Sequence, residues 1–210
     1  MSDQHHSGDE QRARVRLGRA VRDLGHAAIG RQAPAPEIDD VAARVEELVW
    51  RLEAHPIRTR EAGNFPSWQS TPSDGEPIVT FQDRPISGDA SPYGCDLQSL
   101  RRGDEAIARF TLRAAHEGAP GRSHGGVVSA IFDDVLGFVL QIHGIPGFTG
   151  ELSVRYEAGT PIGRPLEMRA RLDRREGRKL FMSADLWDGD RRLATATATF
   201  IQASITGLPA

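Results

Sequence analysis

One long apolar segment near the middle of the chain dominates its hydrophobic pattern. Between residues 126 and 141 the apolar side chains are interrupted mainly by Ser129, Asp133 and Asp134. This pattern predicts a helix that is buried on nearly every face, with Gly144 just beyond its end. Because carboxyl groups are costly inside a bilayer, we expect a core helix of a folded domain rather than a membrane span.

Strands are predicted on both sides of this helix. The expected strands are 78–81, 93–100 and 107–115 before the helix, and 152–156, 166–172, 180–186 and 193–201 after it. Turn signals at 176–177 and 188–189 join the last three strands as hairpins. We therefore expect a four-strand antiparallel meander after the helix. With no later helix, the pattern favours an α+β fold in which an antiparallel sheet curls around the central helix.

The first third of the chain carries a different pattern. Residues 11–29 form a weakly amphipathic segment, and a second helix is predicted from Asp39 to the residue before Pro56, beyond a proline-containing break at 32–36. The loop that follows contains Phe65 and Trp68, which we expect to anchor it on the core. We divide the chain into a disordered tail (1–10), an N-terminal helical extension with a loop (11–76) and a sheet domain (77–210).

Composition narrows the class of protein. Hydrophobic residues make up 39% and charged residues 26% of the 210 residues, which is typical of a soluble globular protein. The net charge of −3 does not favour nucleic acid or an anionic membrane as a partner. Cys95 is the single cysteine, so no disulfide forms within one chain, and from the polar N-terminus we expect no signal peptide. We expect a cytoplasmic protein.

The start of the central helix has the features of an acyl-transfer site. Gly125 and Gly126 lie where backbone N–H groups are unpaired and where the helix carries a partial positive charge, which suits a developing oxyanion. Asp133 lies two turns further on the same face, with Ser129 between them. Donors that polarise a carbonyl, together with a carboxylate that attacks it or activates water, predict hydrolysis of an acyl group.

The distance between these groups predicts a dimer. Gly125 and Asp133 are eight residues apart, which is about 12 Å along a helix. A nucleophile must approach the reacting carbon to roughly 3–3.5 Å. Two antiparallel helices related by a two-fold axis solve this difficulty, because Gly125 of one subunit then faces Asp133 of the other. We expect a homodimer with two equivalent interfacial sites, or a dimer of dimers.

These motifs carry a resemblance to a known family. The chain has HGG at 124–126, an aspartate nine positions after the histidine, the lead-in EGAPG at 117–121 and a charged hairpin at 174–181. Over residues 91–202 it resembles the hotdog-fold acyl-CoA thioesterases of the phenylacetate-degradation type. The resemblance implies a hotdog fold and hydrolysis of an acyl-CoA thioester, with coenzyme A as part of the substrate and no separate cofactor.

The resemblance also implies roles for individual residues. Asp133 is the expected nucleophile or general base, and the N–H of Gly125 polarises the thioester carbonyl. His124 braces the turn and contacts the carbonyl, while Thr149 helps to hold the water or the carboxylate. The expected substrate contacts are Gly126, Ser129, Arg122, Arg178 and Lys179, the three basic residues serving the phosphates of coenzyme A. Without the resemblance, the hairpin's basic residues are a solvated tip.

Other interpretations of the same residues remain open. Asp134 projects about 100° away from Asp133 and is expected to pair with an arginine rather than to act in catalysis. Residues 121–125 match the pattern G-x-S-x-G, which makes Ser123 an alternative nucleophile, although the only later histidine, His143, lies too near in sequence to complete a triad. His143 is instead expected to cap the helix. We find no motif for a metal site.

A regulatory, non-catalytic acyl-CoA-binding protein is a second alternative. Some hotdog domains follow DNA-binding helices, and five arginines lie between residues 12 and 22. However, the first 60 residues carry ten acidic and ten basic side chains and lack helix-turn-helix spacing. Because of this balanced charge, no nucleic-acid partner is expected.

A hotdog dehydratase is a third alternative. Such an enzyme needs a histidine–acid pair in a different loop–helix motif, which we do not find in the sequence.

Overall fold

The computed structural model describes residues 2–58 and 71–203, with side chains from residue 8 onward. Phe65 and Trp68, the expected anchors of the long loop, lie outside the described residues. The helices are α1 (Ser2–Gly30), α2 (Ala35–Glu53) and α3 (Gly125–Ile142). The strands are β1 (Gln98–Arg102), β2 (Glu105–Thr111), β3 (Glu117–Ala119), β4 (Arg122–Ser123), β5 (Gly147–Tyr156), β6 (Pro165–Glu176), β7 (Lys179–Asp188) and β8 (Arg191–Gln202).

The main sheet has six antiparallel strands in the order β1-β2-β6-β7-β8-β5, and β3 and β4 form a small separate hairpin. Helix α3 packs against β2, β5, β6 and β7, so the sheet wraps around it from one side to the other. The core between them includes Phe132, Leu136, Met168 and Leu186, all fully buried. The predicted α+β architecture with one central helix is confirmed.

Helix α3 is the core helix that the apolar pattern predicts. Among the helices of residues 2–58 and 71–203, it alone has the length and apolar composition that a membrane span requires. Eleven of its 18 residues are buried within the fold. His143 occupies the C-cap position, as expected, and Gly144 follows with a left-handed φ of +62°.

The expected four-strand meander is wrong in one respect. β6, β7 and β8 are joined by hairpins as predicted, with Gly177 and Gly189 at positive φ. However, β5 pairs with β8 at the far edge of the sheet and not with β6. The connection at 157–164 therefore crosses from one part of the sheet to another. Alternation along a strand shows which face is buried, but it does not specify the neighbouring strand.

The strands before α3 also differ from expectation. Residues 78–81 form no strand; Pro77 makes an isolated bridge to Leu100, and the next strand begins only at Gln98. The segment between them contains Pro85 and Pro92, and a proline cannot donate a hydrogen bond to a sheet. The strand predicted at 107–115 is shorter, because β2 ends at Thr111 and a 3₁₀ turn occupies Ala114–His116.

Both N-terminal helices begin earlier than predicted. Helix α1 starts at Ser2 and includes the expected disordered tail, because Arg12 pairs with Asp9 and Arg14 pairs with Glu10 one turn away. Helix α2 starts at Ala35, since a proline is tolerated in the first turn of a helix. The division of the chain into an extension and a sheet domain stays a prediction.

Candidate active site

The turn before α3 presents a single free backbone amide. His124 is the N-cap of α3, and its Nδ1 accepts a hydrogen bond of 3.0 Å from the N–H of Gly126. The N–H of Gly125 has no acceptor among residues 2–58 and 71–203. The expected pair of free amides is therefore reduced to Gly125 alone, and His124 braces the turn through its side chain.

Tyr156 is a site residue that the sequence pattern did not single out. From the end of β5 its hydroxyl donates to the carbonyl of Gly125 at 2.7 Å and lies 2.6 Å from Oγ of Ser129. Since the tyrosine proton is used for Gly125, Ser129 is the donor in the second bond. A Cβ at Gly125 would lie only 3.3 Å from the tyrosine oxygen, so the close approach favours glycine. Ser129, an expected substrate contact, is bonded to Tyr156.

The expected carboxylate lies on the same helix face, near the middle of α3. Asp133 is half-buried, and its Oδ1 accepts a hydrogen bond of 2.7 Å from the hydroxyl of Thr149 on β5. This contact leaves Oδ2 without a donor among the described residues. The structure thus brings Asp133 and Thr149 together, as the resemblance implies, at about two helical turns from Gly125.

Asp134 is structural. Its side chain is 9% exposed, and its Oδ1 accepts a hydrogen bond of 2.6 Å from Nε of Arg84. The guanidinium also lies over the ring of Phe138, 5.4 Å from its centroid, and it fills the space beside Gly137, where a Cβ would lie 2.7 Å from Nη2. The expected pairing of Asp134 with an arginine is confirmed, and the structure identifies that arginine as Arg84.

A cavity of about 390 Å³ opens beside Gly125. Its walls are formed by the turn before α3 and by the end of β5 with the segment that follows it, and they are lined by Ser123, Gly125, Val128, Tyr156, Glu157, Ala158, Gly159 and Thr160. Neither Asp133 nor Thr149 lines this cavity. One chain therefore offers a space for a ligand at the amide end of α3 and places the carboxylate about two turns away, near the middle of the helix.

The expected phosphate contacts fall at opposite ends of the site. Arg122 lies beside Gly159 at the Gly125 end, where a Cβ on that glycine would be 2.8 Å from the arginine Cδ. Arg178 and Lys179 lie at the β6–β7 turn, and Lys179 pairs in register with Ile201 of β8. Residue 201 is also the register partner of residue 148, next to Thr149, so this turn belongs to the Asp133 end. Arg178 donates to the carbonyl of Gln202.

Ser123 lacks the surroundings of a hydrolase nucleophile. Its hydroxyl donates to the carbonyl of His124 at 3.3 Å, and the imidazole of that histidine is occupied by Gly126. In the described part of the chain, no hydrogen bond joins Ser123 to a base, as a nucleophilic serine requires. The same part contains no group of three His, Cys, Asp or Glu side chains placed to hold a metal ion.

The side chains of Cys95, His26 and His116 form a group next to the 3₁₀ turn that precedes β3. Nε2 of His116 is 3.8 Å from Sγ of Cys95, and its ring meets that of His26 edge-on with centroids 4.7 Å apart. Burial, with smaller effects of His26 and Arg113, lowers the pKa of His116 to about 4. Burial also raises the pKa of the Cys95 thiol to about 12, so both groups are uncharged at neutral pH.

This environment predicts a loss of stability in mild acid. The pKa of His116 is about 4 in the folded chain and 6.5 in the unfolded chain. Between pH 6.5 and about pH 4 the unfolded chain therefore binds more protons than the folded chain. The free energy of unfolding should therefore fall across this window as pH is lowered. Urea midpoints at several pH values would measure it. The dependence of the unfolding free energy on pH should weaken in His116→Gln and should stay the same in His55→Gln, an exposed position just beyond the end of α2. An unchanged pH dependence in His116→Gln contradicts the prediction.

Comparison with known proteins shows the family to which the chain belongs. The family model described as the thioesterase superfamily matches residues 121–195. Acyl-coenzyme A thioesterase THEM4 of Bos taurus is 30% identical over 166 residues, which are 77% of this chain and 69% of that protein. Acyl-coenzyme A thioesterase THEM5 of Homo sapiens is 30% identical over 119 residues, covering 56% of this chain and 47% of its own length.

A solved structure extends the similarity beyond the matched segment. The crystal structure of protein RHA08564, a thioesterase superfamily protein, aligns with a TM-score of 0.76 and 25% identity, over 90% of this chain and 94% of the other. The chain belongs to the thioesterase superfamily, and the expected hotdog fold is confirmed.

Proposed function

We propose that the protein is an acyl-CoA thioesterase, which hydrolyses an acyl-CoA thioester to a free acid and coenzyme A. The observation that carries the proposal is the face of α3, where the free N–H of Gly125 and the threonine-bonded carboxylate of Asp133 lie two turns apart. The names of THEM4 and THEM5 support the acyl-CoA substrate. The acyl group would lie against α3, in the cavity beside Gly125.

In the proposed reaction the N–H of Gly125 hydrogen-bonds the thioester oxygen as negative charge develops on it. In the general-base route Asp133 takes a proton from water, whose oxygen bonds to the carbonyl carbon. The carbon–sulfur bond then breaks, and the proton passes to the departing thiolate. In the nucleophilic route a carboxylate oxygen of Asp133 bonds to the carbonyl carbon and the carbon–sulfur bond breaks, which gives an anhydride and the coenzyme A thiolate; water then cleaves the anhydride and its proton passes to the thiolate. Single turnover in heavy-oxygen water separates the routes, because only the second labels the enzyme carboxylate.

We further propose that each site is shared by two subunits. The Gly125–Asp133 separation of about 12 Å exceeds what one small carbonyl group can bridge. An antiparallel pair of α3 helices would place Gly125 and Arg122 of one subunit beside Asp133, Arg178 and Lys179 of the other. Such a dimer would gather the basic side chains, which lie at opposite ends within one chain, around one set of coenzyme A phosphates.

Mixing two inactive variants tests the shared site. Gly125→Pro removes the oxyanion N–H at the first helical position, where the backbone accepts proline and where His124 already has the extended conformation that precedes a proline. Because a Cβ at this position would lie 3.3 Å from the Tyr156 hydroxyl, the variant is used only after circular dichroism shows that it folds as the wild type does. Asp133→Asn removes the carboxylate. If sites are shared, a heterodimer has one intact site, and an equimolar mixture after subunit exchange should recover about a quarter of wild-type activity. A site within one chain predicts no recovery.

The function itself is tested by release of free thiol from short, long and aromatic acyl-CoAs. Turnover of at least one class well above the uncatalysed rate would support a thioesterase. Binding of acyl-CoA without any turnover would instead support the regulatory alternative.

A further inference from the structure

Helix α1 docks on the rest of the molecule through a polar face. Its buried residues from position 8 onward are Gly18, Arg22 and His26, which are spaced by four and share one side of the helix. Two of its larger apolar side chains, Leu17 and Val21, are more than 40% exposed. Specific hydrogen bonds rather than apolar burial therefore define how α1 is attached.

Arg22 anchors the middle of this face. Its side chain is 5% exposed, and it donates to the carbonyls of Asp89 and Ser91 and to the carboxylate of Asp96. One turn earlier, Gly18 lies directly against the backbone of Ala90, where a Cβ would clash. These contacts fix α1 on residues 89–96, the segment that leads into β1.

His26 joins the helix to the 3₁₀ turn. Its Nδ1 accepts a hydrogen bond of 3.0 Å from the N–H of Ala115, and its ring packs edge-on against His116. Beside it, Asp23 accepts a hydrogen bond of 2.7 Å from Arg113. The turn is thus held by two residues of α1 on successive turns of the helix.

The same turn holds the amide end of the site. The carbonyl of His116 accepts a hydrogen bond of 2.8 Å from the N–H of His124. His124 is the N-cap of α3 and directly precedes Gly125. A short path of contacts, from His26 through Ala115 and His116 to His124, therefore leads from the N-terminal helix to the peptide that carries the free N–H.

We propose that α1 is a clamp on the oxyanion turn and that His26 is its positioning residue. By holding the 3₁₀ turn, His26 would fix the carbonyl of His116 and so the orientation of the peptide between His124 and Gly125. The catalytic part of this inference rests on the proposed thioesterase activity. It assigns the N-terminal helix a task in the reaction, although no residue of that helix reaches the substrate.

The contact requires the neutral form of His26, because a protonated ring has no acceptor. Burial, followed by the charge of Arg113, lowers the pKa of this histidine, while Asp23 and Asp96 oppose the shift and Arg22 favours it. His116 faces it from the 3₁₀ turn and is itself neutral. The clamp is therefore closed at neutral pH.

Substitutions at position 26 test the clamp. Asparagine places an amide oxygen close to the position of Nδ1, whereas glutamine places its amide one methylene further out. We expect His26→Ala and His26→Gln to lower kcat about tenfold, the scale of one misplaced hydrogen bond, with little change in KM. His26→Asn should keep most of the wild-type kcat. Leu24→Ala, on the outward face of α1, is the matched control and should not change kcat.

Hydrogen exchange of residues 113–126 gives a second readout that needs no substrate. The amides of Ala115 and His124 should exchange faster in His26→Gln and His26→Ala than in the wild type and in His26→Asn. Wild-type exchange in all three variants, or equal loss in Asn and Gln, would overturn the clamp. If the wild type hydrolyses no acyl-CoA, the proposed function fails while exchange still decides whether α1 holds the turn. If His26→Ala does not fold, the contrast between Asn and Gln remains.

Discussion

Replacing Asp133 with asparagine is expected to lower kcat for acyl-CoA hydrolysis by roughly 10²–10⁴-fold, the range that a positioned acid–base group contributes. Asparagine keeps the size of the side chain and an oxygen that can accept from Thr149. It lacks the negative charge that a carboxylate needs in order to attack the carbonyl carbon or to take a proton from water. Thiol release under saturating acyl-CoA measures kcat directly, and circular dichroism with sedimentation checks that the fold and the assembly are retained.

Glu151 provides a matched control for this variant. It is an exposed carboxylate on β5, two residues after Thr149, with no place in the proposed chemistry. Glu151→Gln makes the same change from carboxylate to amide, on the strand that carries Thr149, and should keep activity close to that of the wild type. Comparable activity of Asp133→Asn and wild type would remove Asp133 from the mechanism and return attention to Ser123.

Replacing Arg84 with alanine is expected to destabilise the fold strongly. Arg84 and Asp134 have side chains that are 22% and 9% exposed, and the carboxylate also has a buried Oδ2 without a hydrogen-bond partner in the described chain. Removing one partner of a buried pair leaves an uncompensated charge and costs roughly 3–5 kcal/mol. For a chain of this size the thermal midpoint should fall by roughly 6–20 °C, as differential scanning calorimetry would measure.

Two further variants show whether the loss of stability in Arg84→Ala comes from the buried charge. Arg109→Ala breaks an ion pair with Glu167 in which the arginine is 51% exposed, and such pairs contribute about 1 kcal/mol or less. Adding Asp134→Asn to Arg84→Ala removes the stranded charge and should recover part of the lost stability. If the thermal midpoint falls no further in Arg84→Ala than in Arg109→Ala, the pair of Arg84 and Asp134 does not stabilise the core.

The local hydrophobic pattern of the sequence was sufficient to predict the central helix and the hairpins that follow it. The long apolar segment predicted α3, and alternation with turn glycines predicted the hairpins that join β6, β7 and β8. The spacing from His124 to Asp133 selected the face of the helix that carries the candidate site. These features depend on residues near one another in sequence, whose periodicity shows directly which side of an element is buried.

Only the tertiary structure decided which distant segments meet. β5 lies beside β8 because six strands compete for partners around one helix, and alternation alone is equally compatible with several strand orders. That placement brings Tyr156 to Gly125 and Thr149 to Asp133. The attachment of α1 was hidden for a related reason: its inward face is Gly18, Arg22 and His26, which look solvent-exposed in any hydrophobicity pattern. The buried positions of Arg22 and His26 follow from hydrogen bonds to residues 67–89 positions away in sequence, and such bonds leave no local periodic signal.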